Sequence, residues 1–330
     1  MTSSARFAGV AVLAIALASG CGSKPDNVQT AGGGGGGAGG TPSKGEGAGI
    51  GGTTMSFAGG GAGGSSGGGA SGSSGGGAGG SGGPGPVSTF KIDVNYMFDT
   101  TGAFTPERRL VLEAAARVWE GLILSEFEDV PAGTSLRVRP PEHPTQVGMN
   151  FPAPAIIDDV VAFVGFADID GPGSFRAKTF ISFAGDVADP VLLQKLQVRY
   201  QKIPYQPWVG DISFDVAENW FYDATPDTDD DLPAEQSDFM TTSQHEIGHL
   251  LGIGNSAAWN SFLVGNQFTG PHAVALFGGP VPVTADLAHV DAVALQKVDL
   301  MMGGTADGQR LHPSPLDLAI LEDLGYTVRH

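Results

Sequence analysis

The sequence predicts a mixed α/β fold of the α+β kind, confined to residues 87–330, and three features carry that prediction. A strand pattern is followed by an amphipathic helix, then by several apolar, β-rich segments, and only then by a second helix. A third helix signature closes the chain. Ahead of all this lies a segment that cannot build a core, because residues 31–86 hold 30 of the chain's 53 glycines. The implied architecture is a twisted mixed sheet with an amphipathic helix beside it, and a less regular C-terminal lobe that ends in a helix.

The elements follow in order. Arg6 and the apolar run Phe7–Leu17 have the form of an export signal, too short for a spanning helix of roughly 20 apolar residues. Ala18-Ser19-Gly20-Cys21 then sets small residues directly before a cysteine, like a bacterial lipobox, with alanine where leucine is usual. We therefore divide the chain into a lipoprotein signal (1–21), a Gly/Ser-rich disordered tether (22–86) and a folded domain (87–330). A coil of the tether's composition spans about 40 Å, enough to hold the domain away from a membrane. This makes the protein exported and lipid-anchored through Cys21 in the bacterial envelope, at the outer membrane or cell surface.

Within the domain, Phe90–Tyr96 alternates apolar and polar residues as a half-buried strand does. Thr105-Pro106-Glu107 supplies an N-cap, a proline at the first helical position and an acid in the first turn. Leu110, Leu112, Ala115, Val118 and Trp119 then recur at helical spacing to about Leu122. Strand-like segments follow at Ile156–Phe166, Thr179–Phe183 and Asp211–Val216, divided by turn signals such as Asp170-Gly171-Pro172-Gly173. The second helix starts near Ser237 or Asp238 and ends near Leu251, before Gly252 and Gly254. Ser314-Pro315-Leu316-Asp317 opens the last helix, and Gly325 stops it.

Charge excludes some partners. Residues 87–330 carry 14 basic against 33 acidic side chains, which opposes nucleic acid and anionic membrane surfaces. Cys21 is the sole cysteine, so no disulfide supports the domain, and a metal bound only by the native state is a plausible substitute.

The chemistry lies in His245-Glu246-Ile247-Gly248-His249 on the second helix. Imidazoles at i and i+4 share one helix face and can meet one zinc ion at about 2.0–2.1 Å. Glu246, one residue round, stands beside the metal, where it can take a proton from a metal-activated water. A catalytic zinc needs a third protein ligand and an open position. No glutamate lies between Glu246 and Glu322, so a glutamate on the next helix is ruled against, and the histidines His272, His289 and His312 remain.

The stretch HEIGHLLG, with Gly252 ending the helix, and the methionine turn at Leu300-Met301 resemble the metzincin clan of zinc peptidases. Asn255 stands at the compact clan members' third-ligand position, and an amide oxygen is a poor zinc ligand. The long gap is similar to the leishmanolysin-type arrangement, where the third histidine lies shortly before the methionine turn. That resemblance implies His289 as ligand and Met301 as the structural methionine, with Met302 the alternative. It also implies a protein or peptide substrate added as a strand along a sheet edge; Gly210–Asp215 or Thr179–Phe183 could be that edge, and either could equally be an interior strand. The expected protein is thus a secreted zinc metalloendopeptidase, a monomer with one catalytic Zn2+. The rival reading is a non-catalytic metal-binding or adhesive surface lipoprotein. Asp227–Asp231 and Asp168-Ile169-Asp170-Gly171 offer hard oxygen ligands, so Ca2+ is a second possible cofactor, against the plainer reading of solvated acidic loops.

Overall fold

A computed structural model describes residues 19–21, 88–173, 175–226, 228 and 231–330. The apolar leader and the glycine-rich tether lie outside the described residues, as do Asp227, Asp229 and Asp230 of the acidic run. The first part of the fold runs β1 (Ser19–Cys21), β2 (Ile92–Asn95), α1 (Pro106–Leu122), β3 (Ser135–Val138), β4 (Met149–Pro152), β5 (Val160–Ala167), β6 (Ala177–Ile181) and β7 (Phe183–Ala184). Next come α2 (Pro190–Gln201), β8 (Val209–Asp215), β9 (Trp220–Phe221), β10 (Ser237–Asp238) and α3 (Phe239–Leu250). The C-terminal part is α4 (Ala257–Ser261), β11 (Gln267–Phe268), α5 (Pro271–Phe277), β12 (Val281–Pro282), α6 (Ala292–Leu295) and α7 (Pro315–Asp323).

The principal sheet has the order β1-β6-β8-β5-β2. Strands β2, β5 and β8 run parallel, whereas β6 lies antiparallel to β8 and β1 antiparallel to β6. Every residue of β5 and of β8 is buried, as expected for strands covered on both faces. A smaller sheet, β4-β3-β7, is built from short antiparallel pairs.

Helix α1 buries Val111, Leu112, Ala115 and Trp119 on one stripe, and the Trp119 indole N–H donates to Gln244 O on α3 at 2.9 Å. That bond, buried at both ends, fixes the relation of the two helices. All twelve residues of α3 are buried. Its N-cap is Asp238, whose carboxylate accepts from the Thr241 amide at 3.1 Å. Phe239, in its first turn, packs on Phe214 of β8 with ring centroids 4.7 Å apart. The helix carrying the histidines is therefore a core element.

Two expectations need correction. The sequence reading passed over α2, although Asp189 caps it through the amides of Val191 and Leu192 and Pro190 opens it. Only Leu196, Arg199 and Tyr200 of α2 are buried, so there is little apolar periodicity to read. The second concerns the two candidate edges, either of which could equally be an interior strand: Gly210–Asp215 is part of β8, between β5 and β6, and the β6 part of Thr179–Phe183 lies between β1 and β8. The lobe after Gly254 is indeed less regular, with the short helices α4 to α6 and one small β11–β12 pair before α7. Ser314 and Asp317 form a reciprocal capping box at the start of α7, as the sequence signals there implied.

Candidate metal centre

Helix α3 presents His245 and His249 on one face, and their rings lie 4.5 Å apart, centroid to centroid. His289 arrives from a loop 40 residues downstream of His249 and completes a cluster with centroid distances of 5.3 and 4.9 Å. All three side chains are buried, and one ligating atom from each falls within 4.8 Å of the others. The helical spacing explains the first pair. The third residue is placed by tertiary structure alone.

The hydrogen bonds around the rings settle which nitrogen is available. His245 Nδ1 lies 2.7 Å from Leu300 O, His249 Nδ1 2.8 Å from Ile253 O, and His289 Nδ1 2.8 Å from Asp286 Oδ2. Each partner can only accept, so each Nδ1 carries a proton, and in the neutral ring Nε2 presents a lone pair. His249 Nε2 and His289 Nε2 face each other at 3.2 Å, and His245 Nε2 has no hydrogen-bond partner. Three converging lone pairs in a buried space repel unless a cation sits among them. Burial, with the neighbouring His289 ring, pushes the His245 pKa down to about 3. Burial and the adjacent His245 and His289 rings depress His249 as well. Neutral imidazoles are the protonation state that zinc requires, so the residues present fit the ion.

The Glu246 carboxylate is hydrogen-bonded to β6. Thr179 Oγ1 donates to Glu246 Oε2 at 2.6 Å, and Oε1 has no partner although it is buried. Burial drives the carboxyl pKa up to about 8, with the Thr179 hydrogen bond opposing. The free oxygen, Oε1, is the one available to take a proton.

The methionine turn lies beneath the helix. Met301 is fully buried, and its sulfur would lie 2.5 Å from a Cβ placed on Gly248. Glycine between the two histidines is thus what admits Met301. The preceding carbonyl, Leu300 O, holds His245, which ties the turn to the ring orientation. Met302 is also buried, yet it is Met301 that reaches Gly248.

The other candidate ligands lie apart. His272 Nδ1 pairs with Asp323 of α7 at 2.9 Å, and His312 Nδ1 lies 3.3 Å from Gln244 Nε2. Neither joins the cluster. Asn255 is buried with both amide atoms unpartnered. Among the described residues, Asp168 and Asp170 join no third ligating side chain, so the calcium expectation finds no support there. Sequence reasoning missed Thr179 and Asp286, one reached across the sheet and the other three residues before His289. Only the second could have been sought in the sequence, as a carboxylate next to a candidate ligand.

A buried tri-histidine cluster next to a buried carboxylate, on a core helix of a mixed α/β domain, has the donor set of a metal-dependent hydrolase. A family model described as Matrixin matches residues 196–273, which include α3 and both of its histidines. The match supports a zinc metallopeptidase of metzincin type at family level. It ends before His289 and the methionine turn. No curated protein matches the chain.

Proposed function

We propose that this protein is a zinc-dependent endopeptidase whose ligands are His245, His249 and His289 and whose general base and acid is Glu246. The observation that carries the reading is the convergence of three Nε2 lone pairs beside a carboxylate that has one oxygen tethered and one free. Bound zinc supplies Lewis acidity, which acidifies water and polarises a carbonyl group. Glu246 Oε1 accepts the proton released by the attacking water and delivers it to the leaving amine nitrogen. Thr179 keeps Oε2 anchored throughout, so that the same carboxylate oxygen serves both transfers. The spacing from His249 to His289, with Asn255 in the compact position, fits the leishmanolysin-like variant of the clan.

The side of β6 away from β8, which Ser19–Cys21 of the signal segment covers in this structure, is where substrate would lie. It accepts an antiparallel strand, since Ser19–Cys21 pairs there with Ala177–Thr179. A peptide in that register gains backbone bonds with little demand on its side chains. Its residue opposite Thr179 shares the sheet face that looks toward Glu246. The apolar leader and Cys21 support an exported, lipid-anchored protein acting on proteins of the bacterial envelope or its surroundings. No helix among the described residues is long and apolar enough to cross a membrane.

The test is the variant Glu246→Gln, which preserves size and the Thr179 contact. It retains one zinc per chain and loses about 10²–10⁴-fold in turnover of a general protein substrate such as casein. Turnover equal to wild type would contradict the assigned role.

A further inference from the structure

The three rings differ in what holds them. Backbone carbonyls orient His245 and His249, through Leu300 and Ile253, whereas a carboxylate, Asp286 Oδ2, orients His289. We infer that Asp286 is the positioning residue of the metal site, fixing both the orientation and the proton position of the one ligand that no regular element carries. This rests on the reading of the three histidines as zinc ligands.

The loop Thr284–His289 is built around that carboxylate. Asp286 Oδ1 accepts from Thr284 Oγ1 at 2.5 Å and from the Ala288 amide at 2.9 Å, leaving Oδ2 for His289. The loop closes on itself through Thr284 N to His289 O at 2.9 Å and Leu287 N to Thr284 O at 2.9 Å. Closure forces Leu287 to φ 63°, a left-handed conformation that costs a non-glycine residue about 1–3 kcal/mol. Two contacts from outside hold the strained loop in place. Trp259 Nε1 donates to Leu287 O at 2.8 Å, and Gly254 approaches Ala288 so closely that a Cβ there would fall 2.0 Å from its carbonyl oxygen. Backbone placement is therefore secured by Trp259 and Gly254, and the ring's rotation and tautomer are left to Asp286.

Both of its oxygens are engaged, Oδ1 by the loop and Oδ2 by His289, and that makes the isosteric amide a sharp probe. In Asp286→Asn one atom of the pair becomes an NH2 group. If that group faces His289, it demands a proton-free Nδ1 and moves the proton to Nε2, where it blocks the metal. If it faces the loop, it meets the Ala288 amide, a donor against a donor. Neither orientation satisfies the site, although shape and volume are unchanged. A carboxylate partner also raises the donor strength of the ring, an effect the amide lacks.

The experiment is zinc competition with a chromophoric chelator on the full chain, for wild type, Asp286→Asn and Asp286→Ala. Cobalt absorption spectra and circular dichroism of the same proteins accompany it. Outer partners of this kind contribute roughly 10–100-fold to metal affinity, so both variants weaken zinc by that factor. The cobalt spectrum of Asp286→Asn changes, because one ring has turned or changed tautomer, and its far-ultraviolet dichroism matches wild type. Should Asp286→Ala lose its fold, Asp286→Asn alone carries the comparison. Zinc affinity of Asp286→Asn within twofold of wild type overturns the inference. So does weakened zinc with an unchanged cobalt spectrum, which would mean that Asp286 stabilises the loop and not the ring. A wild-type chain that binds no zinc overturns the metal-site reading itself, and is told apart from the other failures by that fact.

Discussion

At Glu246 the local environment sets two opposed demands. Burial favours the neutral acid, with a pKa of about 8, while proton transfer needs the carboxylate to be reachable from that state. Thr179 contributes by stabilising the charged form and by fixing which oxygen is free. Replacing it with the isosteric valine removes the hydrogen bond and leaves the strand intact. Thr179→Val is expected to lower kcat about 10-fold with zinc content unchanged and KM shifted little, because the lost interaction positions the base and does not bind substrate. Steady-state kinetics with metal analysis checks it, and an unchanged kcat would remove Thr179 from the mechanism. His245, Glu246 and His249 were legible in the sequence because helical periodicity alone sets their relation. Thr179 was not, since only the antiparallel register of β6 against β8 brings it beneath α3.

Among the elements, β8 explains itself least from sequence and most from structure. Its alternate residues Asp211, Ser213 and Asp215 are polar yet buried. Burial raises the Asp211 carboxyl to about 7, against the opposing hydrogen bond from Ser182 at 2.8 Å and the nearby Arg139. A folded-state pKa above the unfolded value of 3.8 means the favourable contribution is whole below about pH 4. It is lost as pH rises through about 7. Asp211→Asn keeps the Ser182 contact and cannot ionise. It should therefore stabilise the chain at pH 8, by up to about 4 kcal/mol, and by less at pH 5. Thermal melts at both values decide this, and a gap that fails to narrow at pH 5 contradicts it. The alternation of Asp211, Ser213 and Asp215 with apolar residues does not show in the sequence that both faces of β8 are covered. Helix α2 was illegible for the converse reason, being mostly exposed without a clear apolar stripe.

For the molecule as a whole, the question is how a helix of the sheet layer is held in register with a loop lobe that supplies the third ring and the methionine turn. Arg310 provides one lock. Its guanidinium donates to Asp238, the N-cap of α3, at 2.9 and 2.8 Å, and pairs with Asp223. All three side chains are almost fully buried. Arg310→Met leaves two buried carboxylates without that cation, and we expect a loss of about 3–5 kcal/mol in unfolding free energy, measured by urea denaturation. A loss below about 1 kcal/mol would show that the lobes are joined by other means. Such a lock, like the 40-residue path from His249 to His289, depends on tertiary closure, which local patterns in a sequence do not encode.

The central claim is that one ion is held by rings from both parts of the domain. Its most direct measurement is zinc stoichiometry by atomic emission for the full-length chain and for His289→Ala, His272→Ala and His312→Ala. The structure leads us to expect one zinc per chain in wild type, in His272→Ala and in His312→Ala, and a large loss in His289→Ala. Full zinc retention by His289→Ala, or its loss in His272→Ala or His312→Ala alone, would contradict the account.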